Sequence, residues 1–216
     1  TADRTLTASG TAASTTGNVY NYDTKIGFLN TGSLDLSLAL ALNTAGQTGI
    51  QVNYDIKTIR NPYDGGSNTR INEVTLQFRV GTSGTFTTLA GIEYQNNTTP
   101  QTSGTAPQNS QTKSVTLPSA CDDKPVVQIR WISRQVSGAG SRPSFAVDNI
   151  NISGGASPTL SISAGSNAAE PSANGSFSIN FSSPTAGPTT FDYSLAGSAV
   201  FSSDYTITLS TGSPSP

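Results

Sequence analysis

The chain has no histidine, no methionine, one cysteine and one tryptophan, and only 11% of its 216 residues are charged. Each shortage excludes something. Without histidine there is no Ser–His–Asp relay, no Cys–His pair and no His-ligated zinc. Cys121 has no intrachain disulfide partner and no base to activate it. Asp122 and Asp123 beside it favour the thiol over the thiolate, so it is expected as a buried, unreactive side chain. There is no Lys/Arg block and the net charge is −2, so the electrostatic footprint of a nucleic-acid binder is missing. No apolar run approaches the roughly 20 residues of a membrane-spanning helix. Neither G-x-G-x-x-G nor G-x-x-x-x-G-K-[ST] occurs, which leaves nucleotide binding without support. A carboxylate pair is the remaining route to hydrolysis, but the 13 acids, among them Asp35, Asp55, Glu73 and Glu93, show no spacing that marks one. A non-catalytic chain is expected.

What is present points to β-structure. Serine and threonine exceed a quarter of the chain, and β-branched, aromatic and turn-forming residues dominate. Apolar residues alternate strictly: Leu34, Leu36, Leu38, Leu40 and Leu42; Ile50, Val52, Tyr54 and Ile56; Val74, Leu76, Phe78 and Val80; Val115 and Leu117; Val127, Ile129 and Trp131. A period of two is a strand with one buried face. The last run, Phe145 to Ile152, changes phase near Asp148 and Asn149, as a bulge would require. Turn chemistry separates the runs at Asn43 to Gly49, Asn61 to Gly66 and Gly81 to Gly84. Residues 95–111 read as a long polar surface loop.

A composition shift divides the chain. Residues 1–153 are expected to form an antiparallel β-sandwich, residues 154–158 (Gly-Gly-Ala-Ser-Pro) a linker, and residues 159–216 a second, short β-domain. In the second domain Leu160 and Ile162, Phe177 to Phe181, Phe191 to Leu195, and Tyr205 to Leu209 suggest four strands. That is few for a sandwich, so the domain is expected to be unfinished at Pro216. Something else, such as other copies or neighbouring domains of a longer parent chain, is then expected to cover it. The opening at Thr1 without a methionine suggests a processed or excised chain.

Two kinds of site are open. Asn53, Asp55, Gln77, Arg79, Gln128 and Arg130 fall on the non-core side of strands that could be neighbours. Together they would make one polar sheet face able to hold a sugar, with Tyr63, and Tyr20, Tyr22 and Tyr94, in segments that could border it. Trp131 lies in phase with Val127 and Ile129, so the core claims it. Calcium is the one cofactor the composition admits, since Asp, Asn and backbone carbonyls on β-loops supply the oxygens it prefers. Five N-x-[ST] sequons, at Asn96, Asn97, Asn151, Asn174 and Asn180, matter only in a eukaryotic secretory host.

Three stretches carry a family likeness. VTLQFRVGTSGTF (Val74 to Phe86), VVQIRWIS and FAVDNINISG resemble jelly-roll modules of large secreted and cell-surface proteins of Bacteroidetes-type bacteria. The closing strand is also similar to that of MAM-type adhesion domains and some carbohydrate-binding jelly rolls. The likeness spans about residues 25–153 and implies a jelly-roll sandwich. It also implies that Asp148, in the closing strand, ties the termini together through calcium, with Asn149 where the family often has a second Asp. The second domain resembles the first half of a Calx-β domain, a sandwich of immunoglobulin-like build, through Glu170, Phe177 to Ser182, Thr190 to Tyr193, and Ser203 to Thr206. That likeness implies calcium near Glu170 and Asp204.

The expected function is therefore a non-catalytic module of a secreted or cell-surface multidomain protein, adhesive, structural or assembling, whose partners are other protein subunits or surface glycans. Two alternatives stand beside it: a carbohydrate-binding accessory module of a secreted hydrolase, and the non-catalytic part of a secreted nuclease or protease. Fold likeness alone does not choose among them.

Overall fold

The structure, a computed structural model, describes residues 17–22, 25–30, 35–101, 107–169, 172–182, 190, 192–194, 196–198, 200 and 202–207. In chain order the strands are β1 (Asn18–Tyr22), β2 (Lys25–Leu29), β3 (Ser37–Leu42), β4 (Gln47–Arg60), β5 (Ile71–Val80), β6 (Thr87–Thr88), β7 (Tyr94–Gln95), β8 (Gln108–Thr116), β9 (Val127–Ser137), β10 (Ser144–Ala156), β11 (Leu160–Ala164) and β12 (Phe177–Phe181). A 3-10 turn, Ser119–Cys121, stands between β8 and β9. The chain divides into two compact units, Thr1–Ser157 and Pro158–Pro216.

The first unit holds two antiparallel sheets. One has the order β1-β2-β10-β4-β8, the other β3-β9-β5-β6, with β7 also pairing with β5. The pairing is nested: β2 with β10, β3 with β9, β4 with β8, and β5 with β6 and β7. Each nested pair falls in one sheet and the next in the other, as when a long hairpin is rolled up.

The alternating residues meet between the sheets. Val52, Tyr54 and Ile56 of β4, Phe145 and Val147 of β10, and Phe28 of β2 pack with Val74 and Leu76 of β5 and Val127, Ile129 and Trp131 of β9. Tyr54 meets Trp131 edge-on at 5.3 Å between ring centres, and Tyr94 meets Phe145 at 5.8 Å. Burying one such side chain contributes about 1.5–3 kcal/mol, so this layer holds the two sheets together.

Several expectations change. The polar stretch 95–111 is not one loop: Tyr94–Gln95 pairs with β5 as β7, and Gln108–Thr116 pairs with β4 as β8. β8 is an edge strand whose inward side carries Gln111 and Lys113, opposite Ile56 and Tyr54, so it lacks the apolar alternation that marks a buried strand. Tyr20 and Tyr22 lie in β1 rather than in a turn. Gly154 and Gly155, expected in a linker, continue β10 through Ala156, with Gly155 paired to Thr48. A Cβ on Gly154 would meet Ile50 Cδ1 at 2.7 Å and Gln47 Cβ at 3.2 Å, so the glycine sits against neighbouring side chains of the strand it pairs with. The units divide between Ser157 and Pro158. Leu34 lies outside the described residues, and of the leucines in β3, Leu38 and Leu42 pack on the core while Leu40 is 39% exposed.

In the second unit, β11 and β12 form an antiparallel pair. Leu160, Ile162 and Ala164 register with Phe181, Ile179 and Phe177, which collects the apolar side chains on one face. That face is open, with Ile162 64% exposed. Among the described residues, Tyr193, Tyr205 and Ile207 lie in no strand, so the third and fourth expected strands are not present there; Phe191, Leu195 and Leu209 lie outside them.

Candidate functional site

Asn53, Asp55, Gln77, Arg79, Gln128 and Arg130 do not share one face. Asn53 and Asp55 are on β4, in the five-stranded sheet with β10 and β8, and the other four are on β5 and β9 of the opposite sheet. Alternation tells which side of its own strand a residue occupies, not which sheet the strand joins. Tyr63 lies in the segment leading into Ile71, at the far end of β5 from Arg79. Eight residues of strand separate those ends by about 25 Å, so Tyr63 does not border the four.

The four that remain together form a lattice. Gln77 is opposite Arg130 and Arg79 opposite Gln128. Arg130 Nε donates to Gln77 Oε1 at 2.8 Å, and Arg79 Nε donates to Gln128 Oε1 at 2.7 Å. Arg79 Nη1 also donates to the Gly84 carbonyl at 2.8 Å, and Gln77 Nε2 donates to Thr88 Oγ1 at 2.9 Å. Each arginine is thus fixed by its inner nitrogen to a glutamine on the neighbouring strand.

Phe86 completes the cluster. The turn at Gly81 to Gly84, with both of these glycines at positive φ, returns the chain so that Thr87 pairs with Phe78 and Thr88 with Gln77. One step further along that register, Phe86 falls beside Arg79. The guanidinium carbons of Arg79 and Arg130 lie 4.4 and 4.1 Å from the Phe86 ring centre. Such contacts contribute about 0.5–1 kcal/mol each at exposed sites. Sequence reasoning missed Phe86; the hairpin register counted back from Gly84 to Arg79 is the signal that could have found it. On the other flank, β3 sets Ala39 beside Arg130 and Ala41 beside Gln128, and both alanines are exposed.

The charge on this face is unbalanced. Lys25 pairs with Asp148 at 3.9 Å and Arg134 with Glu73 at 3.2 Å, but among the described residues neither Arg79 nor Arg130 has an acid partner. Burial, and then the charge of Arg79, push the Arg130 guanidinium below its ordinary value. It still remains charged at neutral pH.

On the other outer face the acids are engaged within the fold. Asp55 accepts from Thr112 Oγ1 at 2.6 Å and from Asn149 Nδ2 at 2.7 Å, which holds its carboxyl below the ordinary value. Asp148 is directly opposite Asp55, and the register shift between Asp148 and Asn151, with Asn149 at φ 48°, is the bulge behind the change of phase. The cation beside Asp148 is the Lys25 ammonium. Asn53 registers with Asn151 and Ser114. In the second unit, Asp204 Oδ2 accepts from the Val200 N–H at 2.7 Å, closing a turn, and Glu170 lies outside the described residues. Among the described residues there is no group of three or more acids or thiols of the kind that holds a metal.

Cys121 is fully buried, and burial, then Asp122, push its thiol up, away from a thiolate. Its acidic neighbours have structural partners: Asp122 Oδ1 accepts from Gly49 N–H and Asp123 Oδ1 from Gly46 N–H.

No protein-family model matches this chain, and neither a curated protein nor a solved structure matches it.

Proposed function

We propose that the first unit is a non-catalytic jelly-roll module of a secreted or cell-surface multidomain protein, with an adhesive role, and that it holds its partner on the outer face of the β3-β9-β5-β6 sheet. The nested strand pairing supports the jelly-roll reading. One observation carries the functional reading: Arg79 and Arg130 are both anchored and both lack an acid partner, with Phe86 stacked against them. Two fixed like charges on one flat face are unfavourable without a counter-charge, and binding surfaces are where such arrangements are retained. The test is adhesion of the full chain to glycan-coated and protein-coated surfaces, with Arg79→Ala/Arg130→Ala as the comparison. Loss of adhesion in the double variant is expected, and equal adhesion would overturn the reading.

A second reading, assembly, draws on the second unit. The open apolar face formed by Leu160, Ile162, Phe177 and Phe181 is what half of a Calx-β-like sandwich would present. Sedimentation of the full chain against Ile162→Ser/Phe177→Ser tests it, and a monomer at every concentration in both removes it.

A further inference from the structure

We propose that the partner held at Arg79 and Arg130 is an acidic polysaccharide, bound through its carboxylate or sulfate groups. The inference rests on the reading of this sheet face as the holding surface.

Three features select the ligand class. The first is the fork geometry. Because Gln77 and Gln128 take the Nε atoms, both terminal nitrogens of Arg130 and the Nη2 of Arg79 have no acceptor among the described residues. Planar N–H pairs suit the paired oxygens of a carboxylate or sulfate. Phe86 restrains both guanidinium groups, so less ordering is needed on binding.

The second feature is the shelf beside the charges. Ala39 and Ala41 leave an exposed, low strip of methyl groups in register with Arg130 and Gln128. A sugar ring offers an apolar C–H face to such a strip while its hydroxyls reach the Gln128 amide, whose Nε2 can still donate; Gln77 is buried and engaged by Arg130 and Thr88.

The third feature is position. An extended peptide gains affinity by pairing with a sheet edge; here that edge is β3, because the opposite edge strand, β6, is only the two residues Thr87–Thr88. Arg79 lies on β5, two strands in from that edge, roughly 10 Å away. A chain lying across the strands reaches both the alanine shelf and the arginine pair, whereas a strand added beside β3 does not reach Arg79. Nucleic acid needs many phosphate contacts, and this face supplies one arginine pair in a chain of net charge −2.

The test is binding of the full chain to four immobilised polymers: polygalacturonate, dextran sulfate, neutral dextran and poly-L-glutamate. Binding to one or both acidic polysaccharides, and not to dextran or poly-L-glutamate, is expected, and which of the two binds separates carboxylate from sulfate. Arg79→Lys and Arg130→Lys keep the charge but lose the fork, and each is expected to weaken binding tenfold or more with an unchanged melting temperature. Arg134→Gln removes one positive charge from a residue already paired with Glu73, and is expected to change binding less than twofold. Tolerance of both lysine variants, or an equal loss in Arg134→Gln, would mean diffuse attraction and overturn the proposal. Equal binding to poly-L-glutamate would reassign the face to acidic peptide, and equal binding to dextran would remove the anion requirement. Binding to none of the four overturns the acidic polysaccharide, while the adhesion assay separately decides the holding-face reading.

Discussion

The two outer faces of the first unit are built from the same kinds of residue and end in opposite electrostatic states. On the β1-β2-β10-β4-β8 sheet, charged groups are satisfied within the face: Asp55 by Thr112 and Asn149, Asp148 by Lys25. On the other sheet, Gln77 and Gln128 orient Arg79 and Arg130 without neutralising them. Hydrogen bonding to a neutral amide sets direction and leaves charge in place. On the first face the two acids are engaged within the fold, and on the second the two arginines have donor capacity left over.

The largest effect tests what the faces share. Trp131 is fully buried between the sheets and belongs to β9, the strand carrying Arg130 on its other side. Trp131→Ala is expected to cost about 3–5 kcal/mol in urea unfolding. A loss below about 1 kcal/mol would mean that the two sheets do not share that core.

A paired substitution sharpens the contrast itself. Asp55→Ala leaves Thr112 and Asn149 without their acceptor, and is expected to cost about 0.5 kcal/mol at this half-buried, solvent-facing position. Arg130→Gln loses its stacking on Phe86 but relieves repulsion from Arg79, so stability is expected to stay within about 0.5 kcal/mol. Thermal melts of both variants check this; a clearly larger loss in Arg130→Gln would make the arginine pair a structural device.

Acid should separate the faces further. The folded-state value of Asp55 is depressed, so its contribution is complete above the unfolded value near about 4 and is lost as pH falls through the folded value. Asp64, held at about 2 by its hydrogen bonds to Asn68 and Gly66, titrates in the same direction. Melting midpoints taken from neutral down to about pH 2 should fall more steeply for the wild type than for Asp55→Asn, with Arg130→Gln following the wild type. Parallel curves for all three would remove Asp55 from the account.

The smallest effect concerns calcium. Since the Lys25 ammonium already lies beside Asp148, added calcium is expected to leave the melting midpoint unchanged. A rise that is abolished by Asp148→Asn would give the satisfied face a cation site after all.

The strands that were legible in advance are those with one buried face. Ile50 to Ile56, Val74 to Val80 and Val127 to Trp131 alternate because a sandwich interior accepts every second side chain. Of β8 only the end at Val115 was legible, because an edge strand tolerates Lys113 on its inward side, and β6 and β7 were missed because two residues carry no period. Gly154 and Gly155 resembled a linker because a glycine inside a strand has the same letter as one in a flexible connection. At the site, Gln77, Arg79, Gln128 and Arg130 were legible as outward-facing residues. Their separation from Asn53 and Asp55, and the arrival of Phe86, were not.

Local alternation by itself determined the all-β class, the inward residues and the outward ones, because side-chain direction in a strand depends only on its own pleat. Tertiary structure alone decided which outward residues became neighbours. Strand order and hairpin register are set by contacts between residues far apart in the chain, and those contacts brought two arginines and a phenylalanine together with no acid between them.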